Sequence, residues 1–488
     1  MFLSIRRRNQ WGIAFGLKSI IPQKQIEIAL PLKFKKIPFT SPLQMFSQLH
    51  KRYETVYLLE SLEGPKKLAQ YSFIGFNPRL NITVKNGIAV TRDEKTGEKT
   101  KQRVTDPLST IQQVLTRQVI ENRNLRFVGG AVGYISYDAI RYWEKIPYER
   151  HDDTGFPDVQ MGVFDDGIVF DHKQKTAYYY FLDKNQSKEI ICLEKSSANS
   201  EDLSFGQPKV NITKENFEKS VEKAKEYVRL GDIFQVVLSK RYDFKINGDL
   251  IGFYRALRDI NPSPYMYFFK TGDRQIVGSS PEMLVRVENR IVETFPIAGT
   301  RPISPNPAEN KRLAQDLLAD PKERAEHVML VDLARNDVGR VADYGSVHVP
   351  EFMQVHGYSH VQHIVSRVVG NLRESCDSYD AFRAVFPAGT VSGAPKPRAM
   401  EIIEQLETAR RGPYAGAVGY FSHNGNSDFA ITIRTLFADK DKAYVQAGAG
   451  IVADSVPERE WFETENKIQA LMKALEMAGG KKIESTNN

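Results

Sequence analysis

The sequence predicts a large protein of mixed α and β structure, and three observations lead there. At 488 residues the chain exceeds one ordinary core of roughly 100–200 residues, so it forms two or three lobes or one unusually large α/β domain. Residues from about Pro42 to Tyr180 read mostly as strands, such as Val56-Tyr57-Leu58-Leu59 and Gly167-Ile-Val-Phe170. Turn signals at Asn77-Pro78, Lys85-Asn-Gly87 and Asp165-Asp-Gly167 punctuate them. Beyond Thr213, helical spacing alternates with strands to about Gly479.

In order along the chain, residues 1–40 form a loosely specified extension. A helix is expected from Pro107 to Gln118, with Thr105 or Asp106 as its cap. Residues 184–209 are polar and offer no plausible core face, which makes 186–209 a linker or surface loop between regions 41–185 and 210–475. Thr213 caps the next helix, whose apolar spacing from Phe217 to Leu230 stops at Gly231. Residues 476–488 read as a flexible tail.

Apolar residues are 41% and charged residues 26%, the balance of a soluble globular chain. No apolar run approaches the roughly 18–20 residues of a membrane helix. The net charge of +7, from 67 basic and 60 acidic side chains, is interspersed, which argues against nucleic acid and fits a mildly basic cleft for a small anion. Cys192 and Cys376 make neither a disulfide framework nor a metal pattern, so a reducing cytoplasm is the natural compartment. Five basic residues precede the first acid, Glu27, which leaves organelle import open beside a plain cytoplasmic extension.

Two acidic segments stand out chemically. In Asp320-Pro-Lys-Glu323-Arg-Ala-Glu326-His327, Pro321 starts a helix that puts Glu323 and Glu326 on one face. In Pro457 to Lys467, Glu460 and Glu463 repeat that spacing. Facing each other, the pairs would suit octahedral Mg²⁺; separately they are solvated helix starts favoured by the dipole. Phe386-Pro-Ala-Gly389-Thr390-Val-Ser392-Gly393-Ala-Pro-Lys396 lacks Walker spacing but offers N–H groups and hydroxyls to a carboxylate. Gln446-Ala-Gly448-Ala-Gly450 is a second bare backbone stretch. His356, His360 and His363 do not share a helix, because Gly357 and Ser359 intervene, so zinc is not expected.

Together, Gly231-Asp-Ile-Phe-Gln235, Gly278-Ser-Ser-Pro-Glu282, Pro296-Ile-Ala-Gly-Thr300, Glu326 to Asp337, Phe386 to Lys396 and Glu460 to Lys467 resemble the chorismate-utilising enzymes, from about Lys214 to Ala474. The resemblance implies an α+β fold: a large, mainly antiparallel two-sheet sandwich with outer helices and a cleft between the sheets. It also implies Mg²⁺ as cofactor, with Glu326 and Glu463 as direct ligands and Glu323 and Glu460 behind water. Glu282 would be the proton donor, with His363 assisting pyruvate elimination and Thr300 positioning it. Thr390, Tyr414, Arg434, Gly448, Gly450 and Lys467 would hold the substrate.

Two positions select a branch. Gln235 stands where water-activating relatives carry Lys, and a neutral amide cannot be that base. Ala298 stands where aminodeoxychorismate synthases often carry a nucleophilic Lys. Both resemble the anthranilate-forming branch, which makes anthranilate and pyruvate from chorismate and ammonia at the entry to tryptophan biosynthesis. Leu58-Leu-Glu60-Ser61 and Asn261-Pro-Ser-Pro264-Tyr265-Met266 resemble that branch's tryptophan-inhibition elements, Glu60 meeting the amino group and Pro264 with Met266 the indole. Gln70 and Gln446 depart from the family's usual Arg. No glutaminase cysteine pattern is present, so a separate glutamine amidotransferase and a hetero-oligomer are expected. The alternatives are aminodeoxychorismate synthase component I and a non-catalytic regulatory protein binding chorismate or tryptophan.

Overall fold

Strand pairing in this molecule combines neighbouring hairpins with partners drawn from distant parts of the chain. A computed structural model describes residues 29–62, 71–115, 118–120, 125–147, 149–183, 185–192, 202–358, 361–479 and 481–482. Within them lie sheets of twelve and fourteen strands, and a two-stranded pair of Ala29–Pro31 with Gln118–Ile120. Pairings in the two large sheets are antiparallel, except Ser204–Phe205 with Lys481–Lys482. The expected two-sheet α+β sandwich is therefore present.

Both sheets mix early and late segments. In the twelve-stranded sheet Gly130–Ile135 lies between Val159–Phe164 and Ala417–Ser422. In the fourteen-stranded sheet Thr55–Glu60 lies between Tyr71–Phe76 and Tyr265–Thr271. Side chains alternate across a strand. Tyr57 thus enters the core between the sheets, while Val56 and Leu58 enter the core beneath the outer helices. Aromatic rings join the sheets: Tyr57 meets Phe164 edge-on at 4.8 Å, and Tyr134 meets Phe269 at 6.4 Å. Helices Pro42–Arg52, Ile251–Ile260 and Pro457–Met477 share the core outside the fourteen-stranded sheet. Helix Pro321–Gly339 packs on strands Ile297–Pro302 and Val361–Asn371 of the twelve-stranded sheet.

Four local expectations change. The helix at Pro107 ends at Val114 rather than Gln118, because Gln118–Ile120 pairs as a strand; Asp106 is its cap, accepting from the Leu108 N–H. Lys33–Ile37, read as extension, pairs with Thr176–Phe181 as an edge strand: Ile37 is buried, while Lys33 and Lys36, on opposite faces, are exposed. The stretch read as lacking a core face buries Leu203 and Phe205 beside the neighbouring Ile190. The last helix runs to Met477, and Lys481–Lys482 pairs as a strand. Thr213 does cap its helix, accepting from the Asn216 N–H, and Asp320 caps the helix that Pro321 opens. Residues 1–28 and Gln70 lie outside the described residues.

Candidate active site

The cleft forms where the chain crosses between the sheets. Glu282 lies between strand Arg274–Ser280 of one sheet and Met283–Glu288 of the other. Arg434 lies at the matching crossover, between Ser427–Ile431 and Thr435–Asp439, with its backbone in the left-handed region at φ 51°. The crossovers are stitched together: the Ile431 N–H donates to the Glu282 carbonyl at 3.1 Å, and the Ser279 N–H to the Arg434 carbonyl at 3.2 Å. Two chemically opposite side chains are thereby fixed beside each other by backbone alone.

Glu282 Oε1 accepts from the Thr390 hydroxyl at 2.8 Å. Burial pushes its carboxyl up to about 7, against the Thr390 hydrogen bond and the cations Arg434 and Lys467. Lys467 donates to the Gly448 carbonyl at 2.8 Å and pairs with Glu463 at 2.7 Å. Gln235 opens strand Gln235–Asn247, which pairs with Lys442–Ile451. Its Oε1 is buried without a protein hydrogen-bond partner. A Cβ at Gly450 would fall 2.5 Å from Gln235 Nε2, and one at Gly448 would fall 3.0 Å from the buried Tyr414 hydroxyl. Bare backbone is therefore required at both glycines.

His363 Nδ1 lies 2.7 Å from the Gly299 carbonyl and 3.1 Å from the Thr300 hydroxyl. Donation to a carbonyl assigns the proton to Nδ1 and leaves Nε2 as the basic nitrogen. Burial lowers the ring's pKa, opposed by the Gly299 carbonyl and reinforced by Arg434.

The acidic pairs occupy helices Pro321–Gly339 and Pro457–Met477. Burial raises the pKa of Glu326, and the negative charges of Glu323 and Glu463 raise it further. Burial raises that of Glu460 as well, with Glu463 adding to it against a Ser455 hydrogen bond. Glu323 also meets Arg301 at 3.5 Å. Among the described residues no three acidic, histidine or cysteine side chains converge on one point. An all-carboxylate donor set in mutual repulsion fits a hard divalent cation bound by two protein ligands, with water and substrate completing the shell.

Thus Glu282, Thr390, Arg434, Lys467 and Gly448 are linked by direct contacts or close charges, Tyr414 joins at Gly448, His363 through Arg434 and Thr300 through His363, while Gln235 packs against Gly450, two residues along the strand from Gly448. Motif reading passed over the support behind them. Gln446 is buried and donates to Ser239, Ser239 to Glu407, and Glu407 pairs with the buried Arg411. Arg411 donates to the carbonyls of Val391 and Val237 and lies over the Tyr414 ring at 5.8 Å. No spacing signal marks this network, since its members are scattered from position 237 to 446.

A second cavity, about 620 Å³ counted to its open mouth, is lined by Glu60, Ser61, Pro264, Tyr265 and Met266, together with Arg126, Arg286 and Asp428. Strand pairing sets Met266 opposite Glu60. The Glu60 carboxylate accepts from Tyr254 at 2.8 Å and meets Arg258 at 3.3 Å. Tyr265 donates to Asp428 at 2.9 Å, and the Ser61 hydroxyl is buried without a partner.

Residues 54–473 match the family model described as chorismate binding enzyme. The anthranilate synthase component 1 of Methanothermobacter thermautotrophicus is 48% identical over 453 residues, covering 93% of this chain and 96% of that protein. That of Aquifex aeolicus is 46% identical over 460 residues, covering 90% and 92%. The crystal structure of anthranilate synthase component I from Streptococcus pneumoniae superposes with a TM-score of 0.72 at 40% identity, covering 86% of this chain and 93% of that one. The chain therefore belongs to the chorismate binding enzyme family, and within it to the anthranilate synthase component 1 group.

Proposed function

We propose that this protein converts chorismate and ammonia to anthranilate, pyruvate and water in the cleft around Glu282. The observation that carries the reading is a carboxyl held near neutral pKa between Thr390, Arg434 and Lys467. Arg434 and Lys467 suit the two substrate carboxylates, and Gly448 and Gly450 let the ring approach the backbone. Ammonia attacks ring C2 as the C4 hydroxyl leaves, and Glu282 delivers the proton that makes the leaving group water. The buried Oε1 of Gln235 offers an acceptor to an ammonia N–H. Nε2 of His363 takes the C2 proton as the enolpyruvyl C–O bond breaks and the ring aromatises. Mg²⁺, held by Glu326 and Glu463 with Glu323 and Glu460 behind water, would neutralise the ring carboxylate.

The cavity at Glu60 is the tryptophan site in this reading. Glu60 would meet the ammonium group, in the place Arg258 now neighbours, and Met266 and Pro264 the indole. Ammonia comes from glutamine through a separate amidotransferase subunit in a cytoplasmic hetero-oligomer. Among the described residues no helix is long and apolar enough to cross a membrane.

The test is product identity. Purified protein, chorismate, Mg²⁺ and ammonium at mildly alkaline pH should yield fluorescent anthranilate, suppressed by tryptophan. Accumulation of 4-amino-4-deoxychorismate instead would overturn the reading. Near-normal turnover in Glu326→Gln or Glu463→Gln would remove the ligand assignment.

A further inference from the structure

Strand Gln235–Asn247 carries one side chain that breaks its pattern. Val236 and Leu238 enter an apolar core with Phe217, Val221 and Ile402, while Ser239 points the other way to Glu407. Lys240 continues the apolar side, yet it is a cation and it is fully buried. Its Nζ lies 2.9 Å from the Trp461 ring centroid, with the Tyr242 and Phe217 rings at 5.7 and 5.9 Å. It also pairs with Glu465, which the Tyr242 hydroxyl joins. Trp461 meets Phe217 edge-on at 5.7 Å.

Trp461, Glu465 and Ile468 follow an i, i+4, i+7 spacing on helix Pro457–Met477, and so share the face that meets Lys240 and the sheet. Glu460, Glu463 and Lys467 follow i, i+3, i+7 on the adjacent face, toward Glu326. That adjacent face is under strain from like charge, because Glu463 lies in the field of Glu326 and Glu460. Repulsion between the two helices tends to roll or lift the second one. Lys240 opposes this with a cation–π contact and an ion pair on the same helix; its own side chain is fully buried whereas Glu465 is 31% exposed, so the ring contact is the stronger hold.

We propose that Lys240 is a positioning residue: its grip on Trp461 and Glu465 sets the rotation of helix Pro457–Met477, and with it the affinity of the facing carboxylates for a divalent cation. The inference rests on the cation reading above. A purely structural role makes a different prediction: removing one partner of an ion pair leaves the other charge unpaired, so cation binding would weaken only together with stability.

The experiment compares the full chain with Lys240→Met and Lys240→Arg, measuring Mn²⁺ binding by electron paramagnetic resonance without substrate, and thermal unfolding. Expected for Lys240→Met is Mn²⁺ binding weakened about tenfold, the size typical of lost support behind metal ligands, with Tm near the parent value because Glu465 stays partly exposed and keeps its Tyr242 hydrogen bond. Lys240→Arg, which keeps a cation over the ring, should bind as the parent does. Parent-like Mn²⁺ binding in Lys240→Met overturns the proposal, as does weaker binding that appears only with a lowered Tm. If the parent itself binds no Mn²⁺, the cation reading falls first and this inference falls with it.

Discussion

The catalytic cleft and the cavity at Glu60 are built in contrasting ways. The cleft takes its reactive groups from Gln235 onward, and they sit where strands cross from one sheet to the other. The cavity needs both halves of the chain: Glu60 and Ser61 come from the early region, Met266 and Asp428 from the late one, joined through strand pairing and side-chain contact. Most of its polar groups are also already engaged, Glu60 with Tyr254 and Arg258, and Tyr265 with Asp428, the buried Ser61 hydroxyl being the exception. The cleft keeps groups in reserve, a carboxyl near neutral pKa and a buried amide oxygen without a partner. The proposed chemistry would draw on that unmet potential, whereas the proposed recognition of tryptophan would exchange contacts that Glu60 already has.

Substitutions can break this contrast. The largest effect is expected from Glu282→Gln, which removes the proposed proton donor while leaving the Glu60 cavity alone. Its kcat should fall by about 10²–10⁴-fold with tryptophan binding unchanged, read by steady-state kinetics and calorimetry. A loss of tryptophan binding in that variant would show that the two sites are not separable. Glu60→Gln should do the reverse, weakening tryptophan by about tenfold, as expected when one charge-assisted contact is lost, with kcat near the parent value. Gly450→Ala places a Cβ against Gln235, and overpacking should cost about 1–3 kcal/mol in stability or appear as a raised KM for chorismate.

The smallest effect is on stability against pH. The folded carboxyl of Glu282 titrates near 7, above its unfolded range, so the folded state holds that proton more tightly. Its contribution is fully present below the unfolded pKa and is lost as pH rises through about 7. Glu282→Gln should therefore match or trail the parent at pH 5 and gain in relative Tm at pH 8. An unchanged difference between the two pH values would mean that the carboxyl is not perturbed.

The cleft was largely legible from sequence because its residues travel in short runs whose order is fixed by local backbone: a capped helix start at Asp320, a crossover at Glu282, a bare strand at Gly448 and Gly450. The support behind it was not legible. Arg411, Glu407, Ser239 and Gln446 meet across long separations, and Lys240 looks like any surface lysine until the helix lies over it. The same limit applies to Lys33–Ile37, whose three lysines hide an edge strand.

By itself the sequence determined the helices through their caps and apolar spacing, the strand-rich early region through its turns, and the enzyme family through the motifs around Gln235, Glu282, Ala298 and the paired acids. Only the tertiary structure decided that early and late strands interleave in both sheets, that Glu60 faces Met266, and that Glu282 and Arg434 are neighbours. Caps and periodicity act over one or two turns of chain, and so are written locally. Strand partnership and the burial of a charge depend on surfaces that meet only after the chain has closed on itself.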